Sequence, residues 1–109
     1  MIRFRIFKTK TYEEDYYKLA FSEKQRVDNI VESLFVNADV TGDPLRVPFF
    51  REKRLKGKRM LYLVYKNLSA ILLVAITDKK TQQVTINDIL KNLEEYKLYI
   101  ELRLKEKTI

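Results

Sequence analysis

Residues 2 to 8 place Ile2, Phe4 and Ile6 against Arg3 and Arg5, the period-two alternation of a strand with one buried face. Thr11 to Glu14 has the spacing of a capping box, which predicts a short helix to about Phe21. Ser22 to Gln25 repeats that signal. Val27, Ile30, Val31, Leu34 and Phe35 then fall at i, i+3, i+4, i+7 and i+8, the clearest helical stripe in the chain. We expect these two helices to form a hairpin. The turn formers between Asn37 and Pro44 end the second helix, and Pro48 bounds the loop beyond it.

The pattern then changes to sheet. Phe49 to Leu55 reads as a strand, Lys56-Gly57-Lys58 as a tight turn, Met60 to Lys66 as its hairpin partner and Ala70 to Thr77 as a fully buried strand. Met60, Tyr62 and Val64 point one way and Leu61, Leu63 and Tyr65 the other, so the middle strand should be covered on both faces. After a polar loop, Thr85 and Asp88 are the expected caps of a long last helix over about 86 to 105, with Ile86, Ile89, Leu90, Leu93, Tyr96 and Ile100 on one face. At about 1.5 Å per residue its outer turns are expected to project. The order β-α-α-β-β-β-α predicts an α+β fold with helices on a small antiparallel four-stranded sheet, and 109 residues without a linker predict a single domain over 1 to 109.

Composition narrows the chemistry. The chain has no Cys, which excludes disulfides, thiolate metal sites and a Cys nucleophile and fits a cytoplasmic protein. It has no His either, so acid–base work would fall to Lys, Tyr or carboxylates. Apolar runs are only a few residues long, so neither a signal peptide nor a membrane association is expected.

Charge changes the picture most. Lys and Arg number 22 against 15 Asp and Glu, and the excess is concentrated. Residues 46 to 59 hold Arg46, Arg51, Lys53, Arg54, Lys56, Lys58 and Arg59 against Glu52 alone, while the remainder is nearly neutral. Lys on an edge hairpin discourages aggregation, but seven cations in fourteen residues exceed that need and read as a site for a polyanion, with RNA the expected one. Lys79 and Lys80 follow the buried strand and are placed by a meander beside Arg59. Tyr12, Tyr16 and Tyr17 are candidates for stacking on bases, although helical spacing more often marks core.

Two capped helices after a first strand, Arg54-Leu55 before a tight turn, the run Gly57 to Tyr65 with Arg59 at its third position, and a hydrophobic strand ending in a basic pair resemble the RelE/ParE-like toxins of toxin–antitoxin systems. The resemblance covers about residues 2 to 90. It implies a toxin that inhibits translation by cleaving mRNA at the ribosome, as RelE-type members do without a metal, or one that poisons gyrase, as ParE-type members do. It implies a cognate antitoxin protein, the ribosome and mRNA as partners, and no cofactor. Arg59 matches the family's hairpin arginine, expected to stabilise the transition-state phosphate. Lys53 and Arg54 match the basic positions of the preceding strand, and Lys80 stands where the nucleases usually carry an arginine. Arg46, Arg51, Lys56, Lys58 and Lys79 are then the expected nucleic-acid contacts. The family's terminal aromatic or His has no counterpart, because Ile86 and Asn87 occupy that neighbourhood.

Two other readings fit the same residues. A metal-dependent nuclease would use Asp43 with Asp78-x-Lys80 and Gln83. A non-catalytic module would bind a protein target or nucleic acid without cleaving it.

Overall fold

The computed structural model describes residues 3–38 and 41–106. The expected strand residue Ile2 and the turn residues Asp39 and Val40 lie outside them. Strand β1 (Arg5–Lys8) leads into helices α1 (Lys10–Tyr17) and α2 (Phe21–Asn37). Strands β2 (Asp43–Leu45), β3 (Val47–Leu55), β4 (Lys58–Tyr65) and β5 (Ala70–Asp78) follow, then helices α3 (Gln82–Lys91) and α4 (Leu93–Glu106).

The α+β class stands, but the sheet has five strands and is mixed. Its order is β1-β5-β4-β3-β2, with β1 parallel to β5 and every other pair antiparallel. Two features of the sequence concealed this. Alternation marks β1 as a strand without encoding its direction, and it lands beside β5, whose outer edge would otherwise leave buried amides and carbonyls unpaired. The turn-like segment Asp43-Pro44-Leu45 forms an edge strand on β3, where a proline without an N–H is tolerated.

Both faces of the central strands are covered. Met60, Tyr62 and Val64 pack with Tyr12, Leu19, Val27 and Leu34 on the side of α1 and α2. Leu61, Leu63 and Tyr65 pack with Phe50, Ile86, Ile89 and Ile100 on the side of α3 and α4. The alternation of β4 therefore reads as expected.

Strand β5 does not alternate throughout. Its register against β4 slips between Leu61 and Tyr62, which pair with Ala75 and Leu73 and leave Val74 as an extra residue. Val74 and Ala75 consequently both face α3 and α4. Helix α1 latches the irregularity: Thr9 Oγ1 donates to the Val74 carbonyl at 2.7 Å, and Asp15 Oδ2 accepts from Ile76 N–H at 3.0 Å.

The helix starts differ from those expected. Thr9, not Thr11, caps α1 by accepting from Tyr12 N–H at 3.0 Å. Ala20 precedes α2, and the Glu23 carboxylate three residues on accepts from its N–H at 2.9 Å, a role assigned by pattern to Ser22 and Gln25. At α3, Asp78 Oδ1 takes the N–H and hydroxyl of Thr81, so the helix begins a turn before Thr85. The single last helix is also corrected. It breaks at Asn92, whose N–H donates to Ile89 O and whose Nδ2 donates to Asp88 O, a local competition with helical pairing. Instead of projecting, α4 packs Ile100 fully into the core, and Tyr99 donates to Lys8 O of β1 at 3.2 Å. Among the described residues no helix is long and apolar enough to cross a membrane.

Candidate nucleic-acid interface

The β3–β4 hairpin turns at Lys56-Gly57, with Gly57 at φ +75°, a left-handed conformation that favours glycine. Across the hairpin, Arg54 pairs with Arg59, and across β4 and β5, Arg59 pairs with Thr77. Two like charges directly opposite each other on one face repel. Glu52 relieves that repulsion: from two residues along β3, its buried carboxylate accepts from Arg59 Nη1 at 2.9 and 2.8 Å. The pair is largely sheltered, with side-chain exposures of 25% for Arg59 and 7% for Glu52.

Beyond that pair lies a cleft of about 170 Å³, lined by Arg54, Leu55, Gly57, Lys58, Arg59, Lys79 and Gln82. Three segments converge there: the end of β3, the start of β4 and the loop entering α3. Arg54 and Lys79 are exposed, and among the described residues no hydrogen bond or ion pair engages either side chain. Thr77 is buried beside Arg59, and among the described residues its hydroxyl has no hydrogen-bond partner. The cleft thus presents two free cations, one half-neutralised arginine fork and a strand-end loop.

The other basic residues lie elsewhere, except Lys58, which lines the cleft but is paired with an acid. Arg46 sits in the β2–β3 turn at φ +63°, the far end of β3 and on the order of 30 Å from the hairpin tip. Arg51 is a structural clamp: its guanidinium donates to the carbonyls of Thr41 (2.9 Å), Gly42 (2.9 Å) and Pro48 (3.2 Å). Tyr62 donates to the same Thr41 carbonyl at 2.6 Å, so together they hold the loop before β2. Lys53 lies on the α2 side of β3, opposite Arg54 and Arg59. Lys58 reaches back to Glu23 at 3.3 Å, and its charge, after the Ala20 N–H, helps to hold the Glu23 carboxyl below the usual range. Lys56 is exposed at the tip, and Lys80 is exposed in the loop but does not line the cleft. The N–H and hydroxyl of Thr81 hold the Asp78 carboxyl below its ordinary value, with Lys80 a smaller influence.

The structure therefore brings Arg54, Arg59 and Lys79 together and leaves Lys53, Arg46, Arg51 and Lys80 outside. Sequence reasoning passed over Glu52, Thr77 and Gln82. Only Glu52 carried a signal, as the lone acid in the basic stretch. Of the expected stacking residues, Tyr12 is buried and Tyr16 donates to Asp28, while Tyr17 is 73% exposed.

The acidic pair of the metal-nuclease reading does not assemble. Asp43 lies on the row of Glu52 and Leu61, Asp78 on the row of Lys58, three residues further along and three strand spacings of about 4.8 Å away. No group of three or more potential metal-ligating side chains is found among the described residues.

The geometry defines a small α+β protein with a cationic cleft at the tip of its central hairpin. Its fold is RelE-like. The E. coli toxin RelE in the free state, as a double Arg-to-Ala mutant, superposes with a TM-score of 0.69 at 11% identity, covering 82% of this chain and 97% of that one. The toxin–antitoxin complex RelBE2 of Mycobacterium tuberculosis gives 0.62 at 18% identity, over 72% and 100% of the two chains. The archaeal RelE–RelB complex of Pyrococcus horikoshii gives 0.59 at 15% identity, over 72% and 97%. No protein-family model and no curated sequence matches the chain.

Proposed function

We propose that this chain is the toxin of a type II toxin–antitoxin pair, acting in the cytoplasm by metal-independent cleavage of mRNA at the ribosome. The observation that carries the reading is the convergence of Arg54, Arg59 and Lys79 on one cleft of a RelE-like fold. Arginine forks suit a phosphate, which accepts paired hydrogen bonds.

In the reaction, the 2′-oxygen of the preceding ribose attacks the phosphorus, its proton leaves to a base, and the bond to the 5′-oxygen breaks as that oxygen takes up a proton. Arg59 and Arg54 stabilise the charge that develops on the phosphate, and the Lys79 ammonium supplies the proton to the leaving oxygen. A cognate antitoxin, carrying an acidic amphipathic segment, would neutralise the same hairpin.

The test is expression in bacteria with and without substitution at Arg59, followed by mapping of mRNA 5′ ends. Arg59→Ala is best placed in a Glu52→Gln background, so that no buried carboxylate is stranded. The wild type should arrest growth and leave cut messages. The double variant should cleave about two orders of magnitude more slowly, the loss expected for one transition-state donor worth about 3 kcal/mol. Normal growth with intact message would remove the toxin reading. Arrest with intact message and stalled DNA replication would replace the nuclease with a gyrase poison.

A further inference from the structure

A groove of about 700 Å³ lies between α2 and the hairpin tip, larger than the cationic cleft and without a part in the cleavage step. Leu55 lines both cavities, so they flank one tip, one on each side of the sheet. The groove wall on α2 is polar: Ser22, Gln25, Arg26 and Asn29 lie at i, i+3, i+4 and i+7. Lys56 stands on the opposite wall. Among the described residues no hydrogen bond or ion pair engages these five side chains. Glu23, the acid that lines the groove, is engaged by Lys58.

Phe21 shares the stripe of Gln25 and Asn29, one helical turn before Gln25. It is 76% exposed, the most exposed large apolar side chain described. It contributes nothing to either core cluster. Phe21 does not itself line the groove, but its chain neighbours Ala20 and Ser22 do. An exposed ring beside the groove, with two amides and two cations along it, matches what unpaired nucleotides need. The ring offers a stacking face, the amides donate to and accept from base edges, and the cations follow the backbone. A duplex keeps its bases stacked on one another and has no face to offer Phe21.

We infer that the α2–hairpin groove is a second nucleic-acid subsite, which takes the unpaired nucleotides next to the phosphate held between Arg54, Arg59 and Lys79. The inference rests on the proposed nucleic-acid reading of that cleft and extends it across the tip. Phe21 stacks on a base, Gln25 and Asn29 read its edge, and Arg26 and Lys56 hold the flanking phosphates.

Fluorescence anisotropy on the purified chain tests it, with labelled, unstructured trinucleotide and nonanucleotide RNAs at one fixed low salt concentration. Phe21→Ala should weaken nonanucleotide binding roughly tenfold and leave the trinucleotide unchanged, while Phe21→Tyr keeps wild-type affinity for both. The Glu52→Gln/Arg59→Ala variant, compared with Glu52→Gln, should lose affinity for both lengths. If Phe21→Ala binds the nonanucleotide like wild type while the Arg59 variant does not, the groove is not a subsite and the cleft reading stands. If Phe21→Ala loses affinity and the Arg59 variant keeps it, the groove binds nucleic acid and the cleft reading falls. If neither substitution matters, or if Phe21→Ala weakens a duplex as much as a single strand, the inference is overturned. Thermal melting of each variant checks that the exposed substitutions leave the fold intact.

Discussion

Arg59 donates through one guanidinium nitrogen to both carboxylate oxygens of Glu52, at 2.9 and 2.8 Å, from the neighbouring strand. An internal anion therefore already occupies part of the fork that an external phosphate would use. Replacing Glu52 by Gln keeps a carbonyl acceptor of similar shape and removes the competing charge. We expect polyanion affinity to rise by about 1 kcal/mol, roughly fivefold, with a comparable loss of folding stability. Anisotropy titrations and urea melts report the two effects. Unchanged or weaker binding would mean that Glu52 positions Arg59 instead of competing for it.

The converse substitution behaves differently. Arg59→Ala strands a buried carboxylate, and removing one partner of a buried pair costs about 3–5 kcal/mol. Much of a small domain's stability is of that order. The stability loss should largely disappear when Glu52→Gln is added, and a double-mutant cycle in urea measures it.

Arg51 separates cations that bind from cations that build. Its three carbonyl bonds hold the loop of Thr41 and Gly42 against β3. Arg51→Met keeps the aliphatic stem and should lower stability by about 2 kcal/mol, with polyanion affinity within about twofold of wild type. A large loss of affinity in a fully folded variant would place Arg51 in the site.

Thr9 performs two tasks with one hydroxyl, capping α1 and donating to the bulged residue Val74. Thr9→Ala should cost about 2 kcal/mol by chemical denaturation, more than an ordinary cap, whereas Thr9→Ser should recover most of it. Equal losses for Ala and Ser would assign the effect to the methyl group.

Burial pushes the Tyr62 phenol up to about 12, even though the Arg51 guanidinium pulls it the other way. Burial also raises Tyr12 and Tyr65. A folded value above the unfolded one, about 10, means that the contribution is complete below pH 10 and is lost as pH climbs through 12. Urea midpoints should therefore hold steady to about pH 9 and fall steeply beyond 10. Tyr62→Phe should flatten part of that fall and, by losing the bond to Thr41 O, lower neutral-pH stability by about 1 kcal/mol.

Much of the hairpin was legible because β4 alternates cleanly and Gly57 marks its turn. The stripe of α2 was legible for the same reason, since periodicity records which face is buried. Pairing direction is not recorded that way, so β1 was found without its parallel neighbour. Pro44 signalled a turn although it sits on an edge strand. The break at Asn92 was hidden because Ile89, Leu93 and Tyr96 keep the period across it. In the site, charge counting located the hairpin and resemblance selected Arg59. Neither could show that Arg51 is consumed by carbonyls, that Lys58 belongs to Glu23, or that Lys53 faces the other way. Those facts depend on partners that are distant in sequence.

The slip at Val74 has a consequence for the cleft that lies in parity. A ladder continuing without it from Tyr62 and Leu73 would set Ile76 beside Arg59 and Thr77 beside Lys58, by simple counting from the observed register. Strand β5 is in effect two half-strands of opposite phase joined at one surplus residue. Its length, as much as its composition, decides that the hairpin arginine meets a hydroxyl instead of a hydrocarbon.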